Sequence, residues 1–282
     1  MRNKFNVSIA LFVLVMFLIS TTTAYAASGS DSSTSVAVAA KDVTELEATI
    51  QSELAKKPEV ITILFTAKAP KDATSYLQGV KDAIQHAQSS LNEELYWNMK
   101  SLSYKMKGSI GNLKITLEPS YLTTNEQDQF VNEEVDRILD KILTSKMTPF
   151  EKEKAIHDYV VSHTSYEDLG EIGHTAYSAL YNNKAVCQGY AILTNMLLGK
   201  AGIESHLVVG YINDDPDQSH MWNEVKIDDN WYMLDTVFDD PTPDHPGVQS
   251  TDYFNVTNEA LSAMGHTWEV NDYPVADTVY HK

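Results

Sequence analysis

The chain has 282 residues, 39 acidic against 21 basic, giving a formal charge of −18, and 43% of it is hydrophobic. That composition can bury a core and excludes wholesale disorder, while the acidity argues against nucleic acid as a partner, because phosphate binding needs clustered Lys and Arg. A single cysteine among nine histidines excludes an internal disulfide and any cysteine-rich zinc site.

Arg2 and Lys4 precede an apolar run from Ile9 to Ile19, and Ala24-Tyr25-Ala26 follows. This order of charged, apolar and small residues predicts a signal peptide over 1–26, cut after Ala26. A membrane anchor is the competing reading, and the run is short for it, since a spanning helix needs about 20 apolar residues. The expected location is therefore secreted, extracellular or at the cell surface, with no stable membrane span after cleavage. In such a compartment a lone thiol is buried and inert, bridges two chains, or is kept for its chemistry.

Residues 27–40 are small and polar without periodicity, which reads as a flexible linker. An N-terminal α+β module is expected over 41–120. Val43, Leu46, Ile50 and Leu54 recur at helical spacing, and VITILFTA, from Val60 to Ala67, reads as a buried strand. A second helix carries Leu77, Val80, Ile84, Ala87 and Leu91. Strands are expected at about 95–107 and 112–118, where Leu113, Ile115 and Leu117 alternate with polar residues.

The remainder, 121–282, reads as a second domain. Val131, Val135, Ile138 and Ile142 form one helical stripe. Thr148-Pro149-Phe150-Glu151 then opens a helix with an N-cap, Pro at the first position and Glu three residues on. Its expected apolar face runs through Ile156, Tyr159, Val160 and His163. His157 and His163 are six apart, not the four that a metal-binding helix uses, so they read as helix-face residues. Asp214, Asp215 and Asp217 read as a solvated acidic loop, because the rest of a calcium-binding loop is missing. No cofactor or metal is implied.

The stretch from Tyr177 to Pro241 carries the chemistry. Ala191 to Leu198 is apolar almost all round, as a buried helix should be, with Gly199 and Gly202 available to stop it. Cys187 sits just before this run, where free helix N–H groups favour a thiolate. His220 opens an alternating stretch that turns at Asp228-Asp229-Asn230 and returns through Trp231 to Asp235. A two-residue turn makes Asp235 the diagonal neighbour of His220, whereas a three-residue turn puts it on the other face. Cysteine, histidine and aspartate in this order suit a nucleophile, a proton carrier and a carboxylate that orients it. Tyr190 and Trp222 read as packing residues.

VCQGYA, LLGKAGI, HMWNEVKIDDNWYMLD and FDDP resemble bacterial transglutaminase-like domains, nearest to the subgroup shared with cytokinesis proteins and the kyphoscoliosis peptidase. The resemblance runs from about Tyr121 to Trp268 and implies an α+β, papain-like fold, the core shared by cysteine proteinases and transglutaminases. It places the catalytic cysteine, histidine and aspartate on Cys187, His220 and Asp235. Met221, Glu167, Val237 and Phe238 depart from the commoner family residues without removing a catalytic group. The implied activity is an exported thiol-dependent acyl transfer on protein or peptide amides through a thioester. Water would make it a peptidase or amidase, and an amine would make it a transglutaminase. Tyr177 and Gln188 are candidate second donors to an oxyanion, beside the Cys187 N–H. The substrate is expected to be protein or peptide, with cationic or cell-wall-associated segments as the narrower candidates. A non-enzymatic binding or structural module that keeps the fold is the alternative, and a metal hydrolase finds no ligand spacing to support it.

Overall fold

A computed structural model of the chain describes residues 37–240 and 250–280. The expected signal peptide, its cleavage site and residues 27–36 of the expected linker lie outside the described residues. The rest divides into two compact units between Tyr121 and Leu122.

The front unit begins with β1 (Ala37–Ala40), α1 (Val43–Leu54), β2 (Ile61–Phe65) and α2 (Ala73–Ser89). It ends with α3 (Glu93–Asn98), β3 (Met99–Ser109) and β4 (Asn112–Tyr121). The four strands form one sheet in the order β1-β2-β4-β3, with β1 parallel to β2 and the other pairs antiparallel. Leu46, Ile50 and Leu54 of α1, and Val80, Ile84 and Ala87 of α2, join Ile63, Ile115 and Leu117 of the sheet in one core.

Two expectations are corrected here. Residues 37–40 are a strand rather than linker, because Ala37 to Ala40 pair in register with Thr62 to Phe65. The strand expected from about 95 starts at Met99, because Asn92 accepts a hydrogen bond from Leu95 N and caps a short helix that Glu93 and Glu94 open.

In the second unit α4 (Asn125–Ile142) and α5 (Pro149–His163) each begin with a capping box. After them come β5 (Ser165–Tyr166), a 3-10 turn at Gly170–His174, α6 (Ala176–Tyr181) and β6 (Lys184–Ala185). The buried helix α7 (Cys187–Lys200) leads into β7 (Ser205–Ile212), β8 (Ser219–Ile227) and β9 (Asn230–Leu234). The unit closes with β10 (Phe254–Val256), α8 (Asn258–Ala263) and β11 (His266–Trp268).

These last five strands form an antiparallel sheet in the order β10-β9-β8-β7-β11. The expected stop of α7 falls at Gly202, which has φ 82 and lets Ile203 N donate back to Leu198 O at 2.9 Å. α7 lies against β8, where Asn223 Nδ2 donates to the Ala191 carbonyl at 3.0 Å. Among the described residues no helix is long and apolar enough to cross a membrane.

The face of α5 differs from the expected one. Its buried residues are Glu153, Ile156, His157, Val160 and Val161, while His163 stays outside and stacks on Tyr159. Glu153 and His157 are one helical turn apart and both are fully buried, so two polar residues of this helix face inward.

Candidate functional site

The turn between β8 and β9 is Asp228-Asp229, both with positive φ (49 and 68), and Ile227 pairs with Asn230 across it. Two left-handed residues in a two-residue loop match the twist of the flanking strands. The register carries Leu234 opposite Asn223, so Asp235 follows on the face of His220 and Trp222.

Asp235 is fully buried and all its polar edges are occupied. Its Oδ1 accepts from Val237 N at 2.9 Å and Phe238 N at 3.2 Å. Its Oδ2 meets His220 Nε2 at 2.7 Å and His266 Nε2 at 2.9 Å. An ionised carboxylate only accepts, so both Nε2 atoms carry their protons toward it. Trp222, Phe238, Tyr253 and Trp268 wall the group: Trp222 stacks on His220 at 5.8 Å, and Phe238 stands edge-on to it at 5.2 Å.

Charge follows from these contacts. Burial alone would lower the His220 pKa, but the charge and hydrogen bond of Asp235, helped by a hydrogen bond with Cys187, push it up to about 10. Burial would raise Asp235, yet His220 and His266 hold it well below the usual carboxylate range. His220 is therefore an imidazolium at neutral pH. His266 also buries Nδ1, which meets no hydrogen-bond partner among the described residues.

Cys187 is the first residue of α7 and is half-buried. Gly189 brings that end of the helix close to its neighbours: a Cβ there would stand 2.7 Å from Ala185 Cβ and 2.8 Å from the Gly173 carbonyl. Gln188 lies in the same first turn. Tyr177 is on α6, in an aromatic cluster with Tyr181 and Phe130.

The expectation of a Cys187–His220–Asp235 triad is corrected by this arrangement. The buried group of three is His220, Asp235 and His266, whose ligand-type atoms all lie within 4.8 Å of one another, and Cys187 is not among them. The thiol meets the group at its edge, through His220. The carboxylate is shared by two imidazoles rather than dedicated to one. The acyl-transfer enzyme, with its thioester and its peptidase, amidase or transglutaminase outcomes, rested on the linear triad and is not retained. His266 escaped the sequence reading because it sits in a three-residue strand without a pattern, 31 residues from Asp235.

Residues 136–236 match the family model of the Transglutaminase-like superfamily. That match covers about a third of the chain, from within α4 to just past β9. The chain is α+β, and its fold resembles the core of that superfamily. Among solved structures, a TGase is similar at 16% identity and a TM-score of 0.34, over 70% of this chain and 56% of that one. The periplasmic domain of TgpA from Pseudomonas aeruginosa is similar at 14% identity and a TM-score of 0.31, over 48% of this chain and 62% of that one. The chain thus spans less than two thirds of either structure, and likenesses this distant say nothing of chemistry. A search of curated proteins finds no match.

Proposed function

We propose that the chain is an exported, non-enzymatic binding module built on the transglutaminase-like core. It takes protein or peptide segments at the His220–Asp235–His266 cluster, with Cys187 and Gln188 on the rim. The observation that carries this reading is the Asp235 carboxylate held between two imidazoles, whose charge and hydrogen bond keep His220 charged over the physiological range. A ring with a pKa of about 10 donates hydrogen bonds and does not accept protons at neutral pH. Nε2 of that ring is held by Asp235, so the donor offered to a peptide carbonyl or carboxylate is the other ring nitrogen, on the Cys187 side. The first turn of α7 adds backbone N–H groups on the same side as the thiol.

A cysteine-headed helix beside a sheet bearing histidine and aspartate supports a papain-like arrangement of the fold. VCQGYA and HMWNEVKIDDNWYMLD support the subgroup that includes cytokinesis proteins. Export rests on the order of residues 1–26, and Asp214, Asp215 and Asp217, just before β8, favour cationic segments.

The test is a peptide array probed with the mature wild-type chain and with His220→Leu and Cys187→Ser, each checked for folding by circular dichroism. Binding that is lost in His220→Leu, kept in Cys187→Ser and leaves the peptides intact supports a binding module. Cleavage, deamidation or amine incorporation that disappears in Cys187→Ser overturns it.

A further inference from the structure

Residues 235–240, directly after β9, hold three carboxylates, each with its own partner. Asp235 takes the two imidazoles. Asp240 Oδ2 accepts from Tyr190 OH of α7 at 2.6 Å. Asp239 Oδ2 accepts from His157 Nε2 of α5 at 3.1 Å, between two side chains that are both fully buried.

The Asp239 contact continues to Asp235. Asp239 Oδ1 accepts from Tyr253 N at 3.1 Å, and the Tyr253 carbonyl accepts from Asp235 N at 3.1 Å. The same helix holds the next two residues of the chain as well. The His157 ring stands edge-on to Phe254 at 5.0 Å, and Glu153 Oε2 accepts from Asn255 Nδ2 at 2.8 Å. Asn255, with φ 54, forms the irregularity in the β9–β10 pairing, so this grip falls where the ladder itself is interrupted.

His157 Nδ1 also meets a carboxylate, Asp158 Oδ1 at 3.0 Å. With acceptors at both ring nitrogens, the ring carries two protons and a charge. Burying a charged pair requires removing both groups from water, and an apolar pair of similar volume generally stabilises a fold as well or better. Stability alone is thus a weak account of the pair. What it supplies, and an apolar contact would not, is a fixed direction for the Asp239 carboxylate and through it for the Tyr253 peptide.

We infer that His157 and Asp239 are positioning residues: acting through Tyr253, they fix the backbone of Asp235 and so the angle at which its carboxylate meets His220 and His266. The inference rests on that cluster as the functional site, but it concerns the geometry of the cluster and not the ligand it takes.

The experiment follows the His220 imidazole by NMR titration in the ligand-free chain, comparing wild type with His157→Gln, Asp239→Asn and the double variant. Thermal melts run alongside. The expected result is a fall in the His220 pKa of at least about one unit, equivalent to ~1.4 kcal/mol of lost pairing, in each single variant. The double variant should show no further fall, because the two residues act as one unit. A lower melting temperature with an unchanged His220 titration overturns the inference and leaves the pair a structural one. Should the buried variants fail to fold, Asp158→Asn weakens the same ring from its partly exposed side. It should give a smaller shift in the same direction, and no shift there overturns the inference too. Because no peptide is present, failure here leaves the binding proposal standing, and failure of peptide binding leaves this result intact.

Discussion

His266 Nε2 lies 2.9 Å from Asp235 Oδ2, the oxygen on which His220 already rests. This second donor lets a fully buried carboxylate stay ionised without relying on His220 alone. His266→Leu should therefore cost about 1.5–3 kcal/mol, the usual worth of a hydrogen bond to a charged group. His266→Gln, which keeps a donor amide, should cost less. Urea denaturation of the two variants gives the comparison, and equal losses would mean that the ring matters only for its packing.

The pairing of His220 with Asp235 should set a pH dependence. The folded His220 pKa is raised from 6.5 to about 10. A histidine raised in this way binds protons more tightly folded than unfolded, so its contribution is complete below 6.5 and is lost as pH rises through about 10. In Asp235→Asn the opposing charge is gone and burial is countered by Cys187 alone, so the ring should titrate well below 10. NMR titration of the imidazole reads this directly. A ring in the variant that still titrates near 10 would assign the shift to another group.

Gly210 lies directly across from His220 in the β7–β8 pairing and across from Trp268 in the β7–β11 pairing. A Cβ at this position would stand 2.0 Å from the Thr267 carbonyl and 2.7 Å from Trp222 Cη2. The carbonyl belongs to the neighbouring strand and cannot swing aside, so the sheet must open or the tryptophan must move. Gly210→Ala should destabilise by more than about 3 kcal/mol, beyond the ordinary range for overpacking. Trp222 stacks on His220, so its fluorescence should shift in whatever fraction folds. A near-neutral variant would show that β7 and β11 can separate freely.

Much of the fold was legible because its signals are local. Thr148 and Glu151 bond reciprocally at the head of α5, Asp228-Asp229 make the two-residue turn, and Leu113, Ile115 and Leu117 turn one face of β4 inward. The misses share the opposite property. Ala37 to Ala40 have no strand signal of their own and become a strand by pairing with β2. His266 and Asp235 meet across 31 positions of sequence, and Glu153 and Asn255 across 102. The buried polar face of α5 was obscured for the same reason: Glu153 and His157 look solvent-facing until Asn255 and Asp239 arrive from the far end of the chain. The sequence order Cys, His, Asp suggested a closed triad, and nothing local revealed a second imidazole on the carboxylate.

Glu153 provides a pH test that is separable from that of His220. Burial pushes its carboxyl from 4.5 up to about 8, against the opposing effects of Asn255 and His157. Below 4.5 the folded and unfolded chains both hold the proton and there is no penalty. Between 4.5 and 8 the unfolded chain ionises while the folded chain does not, so the unfolded state binds fewer protons and stability falls as pH rises. The slope is at most roughly 1.4 kcal/mol per pH unit, and it disappears above about 8, where both states are ionised. Glu153→Gln cannot ionise and keeps an oxygen for Asn255 Nδ2. The variant should therefore be more stable than wild type at pH 8, with the difference shrinking steadily toward pH 4.5. His220 contributes its own loss only above 6.5, so the interval from 4.5 to 6.5 isolates the glutamate. Denaturation curves for wild type and Glu153→Gln across that interval decide it: parallel curves would mean that Glu153 is ionised in the folded protein.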